Sequence, residues 1–100
     1  MKNYGGYTYI LTNKTNRVFY IGVTDNLIRR VDQHKKKMTQ GFTTRYNVNK
    51  LVWYEFHERI ENAILKEKQL KNWKRAWKIE LITKENPHFI DLYSLLLVSS

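Results

Sequence analysis

The stretch 7-YTYILTNKTNRVFYIG-22 constrains this chain most, because it places two strand-length apolar runs on either side of a turn. Tyr7, Tyr9 and Leu11 alternate with Thr8, Ile10 and Thr12, the period-two pattern of a strand whose two faces meet different surroundings. Asn13-Lys14-Thr15-Asn16 supplies turn residues, since asparagine tolerates left-handed backbone geometry. Arg17–Val23 is β-branched and aromatic and reads as the returning strand. With the loop midpoint between Lys14 and Thr15, Tyr9 and Tyr20 lie equally far from it and are expected on one face. Ile10, Phe19 and Ile21 are expected in the core.

Downstream, Gly22 ends the second strand, and Thr24 or Asp25 is expected to cap a helix running from about Asn26 to Lys37. Gly41–Asn49 reads as a polar loop, with Phe42 and Tyr46 as anchors, and Lys50–Phe56 as a third strand. Strong helix formers predict a helix over Ile60–Ala76, with Trp77–Thr83 extending it or forming a short helix of its own. Pro87 disfavours helix at Asn86 and marks a boundary, after which His88–Val98 reads as a closing helix. The expected fold is α/β, an α+β sandwich: a mainly antiparallel three-stranded sheet flanked by helices. At 100 residues there is length for one core, hence one domain.

Composition narrows the chemistry. The chain has no cysteine, which excludes disulfides and thiolate catalysis and fits a reduced, cytoplasmic setting. No signal-peptide core or membrane-spanning run is apparent. Eighteen Lys and Arg against nine Asp and Glu give a net charge of +9, the footprint of a protein that meets a polyanion.

Polar residues interrupt the apolar stripes. Leu27, Val31 and Met38 define the inward stripe of the first helix, and Arg30 and His34 fall on it one turn apart. Ile60, Ala63, Ile64, Leu70 and Trp73 define the stripe of the next long helix, with Glu67 in its middle. Singly, each has an ordinary explanation. Arg30 snorkels to the rim, His34 is a satisfied buried histidine, and Glu67 pairs with Arg30 or Lys71. Together with the two tyrosines they assemble a hard oxygen ligand, a phosphate clamp and proton carriers on a basic protein, which points to phosphodiester hydrolysis.

These residues, in this order, resemble the GIY-YIG nuclease superfamily, in particular its short single-domain bacterial members. The signature tripeptides correspond to 7-YTY-9 and 20-YIG-22, with Tyr7-Thr8 standing where the family name has glycine and isoleucine. The arginine and histidine of the family's first helix match Arg30 and His34 in 25-DNLIRRVDQH-34. The metal-binding glutamate matches Glu67 in 63-AILKEKQLK-71, and the late asparagine matches Asn86 in 86-NPHFIDL-92. The resemblance runs from Tyr7 to about Leu92.

The resemblance implies a divalent-metal-dependent endonuclease cutting DNA, with RNA not distinguished, and Mg²⁺ or Mn²⁺ held by Glu67. Tyr9 or Tyr20 would take or relay the proton of the attacking water, Arg30 would stabilise charge on the phosphate, His34 would poise a tyrosine, and Asn86 would belong to the site. The alternative is a non-cleaving nucleic-acid-binding module of the same fold.

Lys35, Lys36, Lys37, Arg45 and Lys50, and the later series Lys66, Lys68, Lys71, Lys74, Arg75 and Lys78, read equally as flanking a nucleic-acid backbone or as a solvated helix face, with Lys35, Lys36, Arg45 and Lys71 taken as the binding candidates. Phe42, Tyr46 and Trp53 read as core or loop anchors rather than base-stacking rings, and Trp73 and Trp77 as packing residues. Monomer and weak dimer both fit the sequence.

Overall fold

A computed structural model describes residues 5–38 and 41–99. The first four residues of the N-terminal stretch lie outside it. Strand β1 (Gly6–Thr12) is the middle strand of an antiparallel sheet, with β2 (Phe19–Thr24) on one side and β3 (Lys50–His57) on the other. A central strand is covered on both faces, and Thr8 through Thr12 are all buried.

The hairpin register departs from the expected one. Tyr20 pairs with Leu11, and Tyr9 pairs with Gly22. Asn13 accepts the backbone N–H groups of Arg17 and Val18 on its Oδ1 at 2.9 and 3.2 Å, which lengthens the loop and moves its midpoint by one residue. The pairing therefore slips by two, and because side chains alternate with period two, both tyrosines still share a face.

That face carries Tyr9, Leu11 and Leu51 and is covered by helices α1 (Leu27–Lys35) and α5 (Tyr93–Ser99) through Leu27, Val31, Tyr93 and Leu96. The opposite face carries Ile10, Ile21 and Val52 and is covered by α3 (Ile60–Asn72) and α4 (Arg75–Glu85) through Leu70 and Ile82. A register shift between Ile10 and Leu11 leaves Val52 as the extra residue of β3, so Val52 and Trp53 both join this second cluster. The short helix α2 (Phe42–Arg45) links α1 to β3. No helix among the described residues is long and apolar enough to cross a membrane.

Several boundaries differ from the expected ones. Asn26, not Thr24 or Asp25, caps α1, its side chain accepting Arg29 N–H at 3.1 Å. Lys37 adopts a left-handed φ of 55° and Met38 N–H closes on Gln33 O at 2.9 Å, so α1 stops early and Met38 is 67% exposed instead of inward. The helix expected over Ile60–Ala76 breaks at Trp73 and Lys74, both extended, with neither proline nor glycine present. Packing decides this break: the Trp73 ring joins the second core, and Arg75 docks over Phe19 at 4.6 Å and donates to Asn16 O at 3.1 Å. Ile64, expected inward, is 38% exposed. The closing helix starts at Tyr93, not His88, because Phe89 takes a left-handed φ of 53° and Asp91 Oδ1 accepts Tyr93 N–H.

Candidate active site

Gly22 shows how the strands build the site. A Cβ there would stand 2.5 Å from Tyr9 Oη and 2.9 Å from Tyr20 Cε2, so the Tyr9 phenol occupies the space that any other residue would fill. This glycine serves close approach, on the outer strand of the sheet.

The Tyr9 hydroxyl lies 3.2 Å from His34 Nε2, and His34 Nδ1 lies 3.0 Å from Thr43 Oγ1. All three residues are buried. A neutral imidazole has one N–H and one lone pair, so a phenol donating to Nε2 requires Nδ1–H to donate to Thr43. Burial, assisted by the Arg30 charge, pushes His34 down to about 4, which keeps the ring neutral near pH 7. Burial likewise pushes Tyr9 up to about 12, against a hydrogen bond and a positive charge from Arg30 that lower it. The Tyr20 and Glu67 charges push Tyr9 in the same direction as burial.

The rings of Tyr9, Tyr20 and His34 form one group, with centroids 6.3 Å apart for the tyrosines and 5.6 Å for Tyr20 and His34. Arg30 Nη1 donates to Gln33 Oε1 at 3.2 Å and lines an open groove with Thr24, Asp25, Arg29, Gln33 and Ile60. Ile60 begins α3, so the groove joins the helices of the two layers past the end of β2. Glu67 approaches from α3, half-buried, with Lys71 Nζ 3.1 Å from its Oε2. Among the described residues no three His, Cys, Asp or Glu side chains come together as a self-sufficient metal cage. One hard carboxylate, which with Arg30 acts on the Tyr9 hydroxyl, nevertheless fits Mg²⁺ or Mn²⁺, ions that keep several waters and need few protein carboxylates.

Other expected residues stand elsewhere. Asn86 is buried, but its Nδ2 donates to Val52 O at 3.1 Å and Ile90 O at 2.9 Å, and its Oδ1 accepts Ile90 N–H at 3.0 Å. Its amide thus staples the 86–90 turn to the extra residue of β3, and the structure does not bring it into the tyrosine–histidine group. Lys35 is no free backbone contact either: it pairs with Asp91 and donates to Asn49 O at 3.0 Å, tying α1 to the rest of the domain. Lys36 pairs with Asp32 at 3.1 Å on the exposed face of α1, and Lys71 is the partner of Glu67. Arg45 is exposed on α2, over the Tyr46 ring at 5.6 Å. Trp53 is buried as expected, whereas Phe42 and Tyr46 are 46% and 45% exposed. The sequence carries no signal of the contact between Thr43 and His34, because Thr43 lies in a polar segment without periodicity.

Residues 5–80 match the model of the GIY-YIG catalytic domain. The chain is 32% identical over 80 residues to a UPF0213 protein of Clostridium perfringens, covering 80% of this chain and 85% of that one. It is 33% identical over 82 residues to a UPF0213 protein of Syntrophus aciditrophicus, covering 81% and 92%. The solution NMR structure of a UPF0213 protein from Bacillus halodurans shares the fold, with a TM-score of 0.55 at 24% identity over 87% of this chain and 92% of that one. The chain belongs to the GIY-YIG family, a nuclease-type family.

Proposed function

We propose that this protein is a divalent-metal-dependent endonuclease that hydrolyses DNA phosphodiester bonds by in-line attack of water. The observation that carries this reading is the buried Tyr9–His34–Thr43 chain within charge reach of both Arg30 and Glu67. A buried phenol on a neutral imidazole is a proton path, and a guanidinium and a carboxylate that both act on that phenol suit a phosphate and its counter-cation.

The roles follow from the chemistry of each group. Arg30 grips the non-bridging phosphate oxygens and stabilises the charge that develops on them. A Tyr9 held near 12 is a poor free base, so its oxygen takes the water's proton only while passing its own to His34 Nε2. His34 takes that proton while its Nδ1–H stays on Thr43. Neutralisation of Arg30 by the substrate phosphate removes one of the two causes that depress His34, which makes the imidazole a better acceptor once substrate is bound. Tyr20, whose ring packs beside those of Tyr9 and His34, adds a second phenol for proton handling on the β2 side. A Mg²⁺ or Mn²⁺ ion on Glu67 would supply Lewis acidity at the phosphate and the leaving oxygen. Asn86 acts as a positioning residue for β3, and Arg45, Lys36 and Lys71 contribute to backbone attraction.

The test compares wild type, Glu67→Gln and Tyr20→Phe on single-stranded, duplex and branched DNA, and on RNA, with Mg²⁺ or with EDTA. Nicking that needs the metal and is lost in Glu67→Gln, with binding retained, is the expected result. The loss should reach at least about a hundredfold, the scale for removing a group that stabilises the transition state. Salt-sensitive binding without cleavage on any substrate would replace this reading with a non-cleaving binding module. Cleavage undiminished in both variants would overturn the site assignment.

A further inference from the structure

Outward from the Tyr9–His34 pair, the aromatic rings continue to the surface. Tyr20 lies 5.6 Å from the His34 ring, Phe42 lies 6.5 Å from Tyr20 at an interplanar angle of 29°, and Tyr46 lies 4.9 Å from Phe42. The Arg45 guanidinium sits over Tyr46 at the end of this run. Phe42 and Tyr46 were expected to anchor their segment, yet nearly half of each is in solvent. Anchoring falls instead to Thr43, bonded to His34, and to Val48, fully buried, whose N–H donates to Thr43 O at 2.9 Å. Gly41, with φ of 94° and open space around its missing Cβ, sets the turn into α2. Two large, half-exposed rings in ring contact with a candidate active site, on a +9 protein, call for a flat, anionic partner.

We propose that Phe42 and Tyr46 form a stacking platform for unpaired bases beside the scissile phosphate, so that the substrate is DNA with a single-stranded stretch at the cut. The location of that phosphate rests on the nuclease reading above. Stacking on aromatic side chains needs a free base face, and every base of a single strand offers one. A duplex keeps those faces inside its stack and exposes them only after paying to flip a nucleotide out. Arg45 places a cation where the backbone of a stacked strand passes. The lysine-rich surface attracts single strands and duplexes alike, so the rings alone supply the preference.

Binding of a dye-labelled twelve-base single strand and of the same sequence as a blunt duplex, measured by fluorescence anisotropy in EDTA at fixed salt, tests this without requiring cleavage. Phe42→Ala and Tyr46→Ala should each weaken single-strand binding by roughly tenfold and leave duplex binding within about twofold. Phe42→Leu and Tyr46→Leu keep apolar bulk but no flat face and should behave like the alanine variants, whereas Phe42→Trp should retain wild-type affinity. Equal losses on both DNA forms, no loss on either, or leucine variants with wild-type affinity would overturn the platform. Adding Mg²⁺ to the wild type separates the two readings. Ring-dependent binding without any cleavage sinks the nuclease and leaves the platform standing. Cleavage of duplex and single strand at equal rates in the ring variants and the wild type sinks the platform and leaves the nuclease.

Discussion

The two faces of the sheet bury polar groups in different ways. Under α3 and α4, Thr8 donates to Ala63 O at 2.8 Å, with His57 Nε2 at 3.4 Å as a longer side-chain contact, and Asn86 bonds the backbone of Val52 and Ile90. Around these bonds the packing is apolar, with Ile10, Val52, Leu70 and Ile82 completely buried. Under α1 the buried polar groups bond to one another instead, Tyr9 to His34 and His34 to Thr43. Backbone partners are fixed by the fold, so side-chain bonds to them hold architecture in place. Side chains that titrate and bond each other have protons to exchange. The contrast separates Asn86, which holds the sheet together, from the Tyr9–His34–Thr43 chain on which the proposed chemistry rests.

Substitution of Leu70 breaks this division if the division is wrong. Leu70→Ala should cost about 2–5 kcal/mol in urea unfolding, because it opens a cavity in the apolar layer. Cleavage per folded molecule should stay near wild type, since Leu70 packs in the second core and Tyr9 in the first.

Acid titration sharpens the division from the other side. His34 is held at about 4 in the fold against 6.5 for an ordinary histidine, so the unfolded chain binds its proton first. The stability this contributes is complete above pH 6.5 and is lost as pH falls from there through 4, on the order of 3 kcal/mol at most. Unfolding free energy measured between pH 7 and 4 should fall in the wild type and fall less steeply in His34→Gln, which cannot charge. The same shift predicts that the cleavage rate has no acid limb near 6.5.

Asn86→Ala should have the smallest effect, about 1–3 kcal/mol of stability from the unpaired Val52 and Ile90 groups. A cleavage rate reduced a hundredfold in this variant at matched folding would move Asn86 back among the catalytic residues.

The sheet was legible because alternation in β1 and β2 depends only on local sequence. Even the misplaced turn midpoint did no harm to the tyrosines, since a slip of two residues returns each side chain to the same face. Arg30, His34 and Glu67 stood out because polar residues on an apolar stripe need partners, which α1 and α3 then supply near Tyr9. The break at Trp73 was not legible, since long-range contacts of Trp73 and Arg75 override good helix formers. Neither was the exposure of Phe42 and Tyr46. Apolar character says that a ring can be buried, and here Thr43 and Val48 took the buried places.

The most direct measurement of the central claim removes one oxygen. Tyr9→Phe keeps the ring, the packing and the charges, and deletes only the hydroxyl that meets His34. Single-turnover cleavage in Mg²⁺ should slow by about a hundredfold or more, the range for a positioned proton-transfer group, while DNA affinity and secondary structure stay as in the wild type. A rate within threefold of wild type, at unchanged affinity, would contradict the account and leave the buried tyrosine–histidine pair a feature of packing alone.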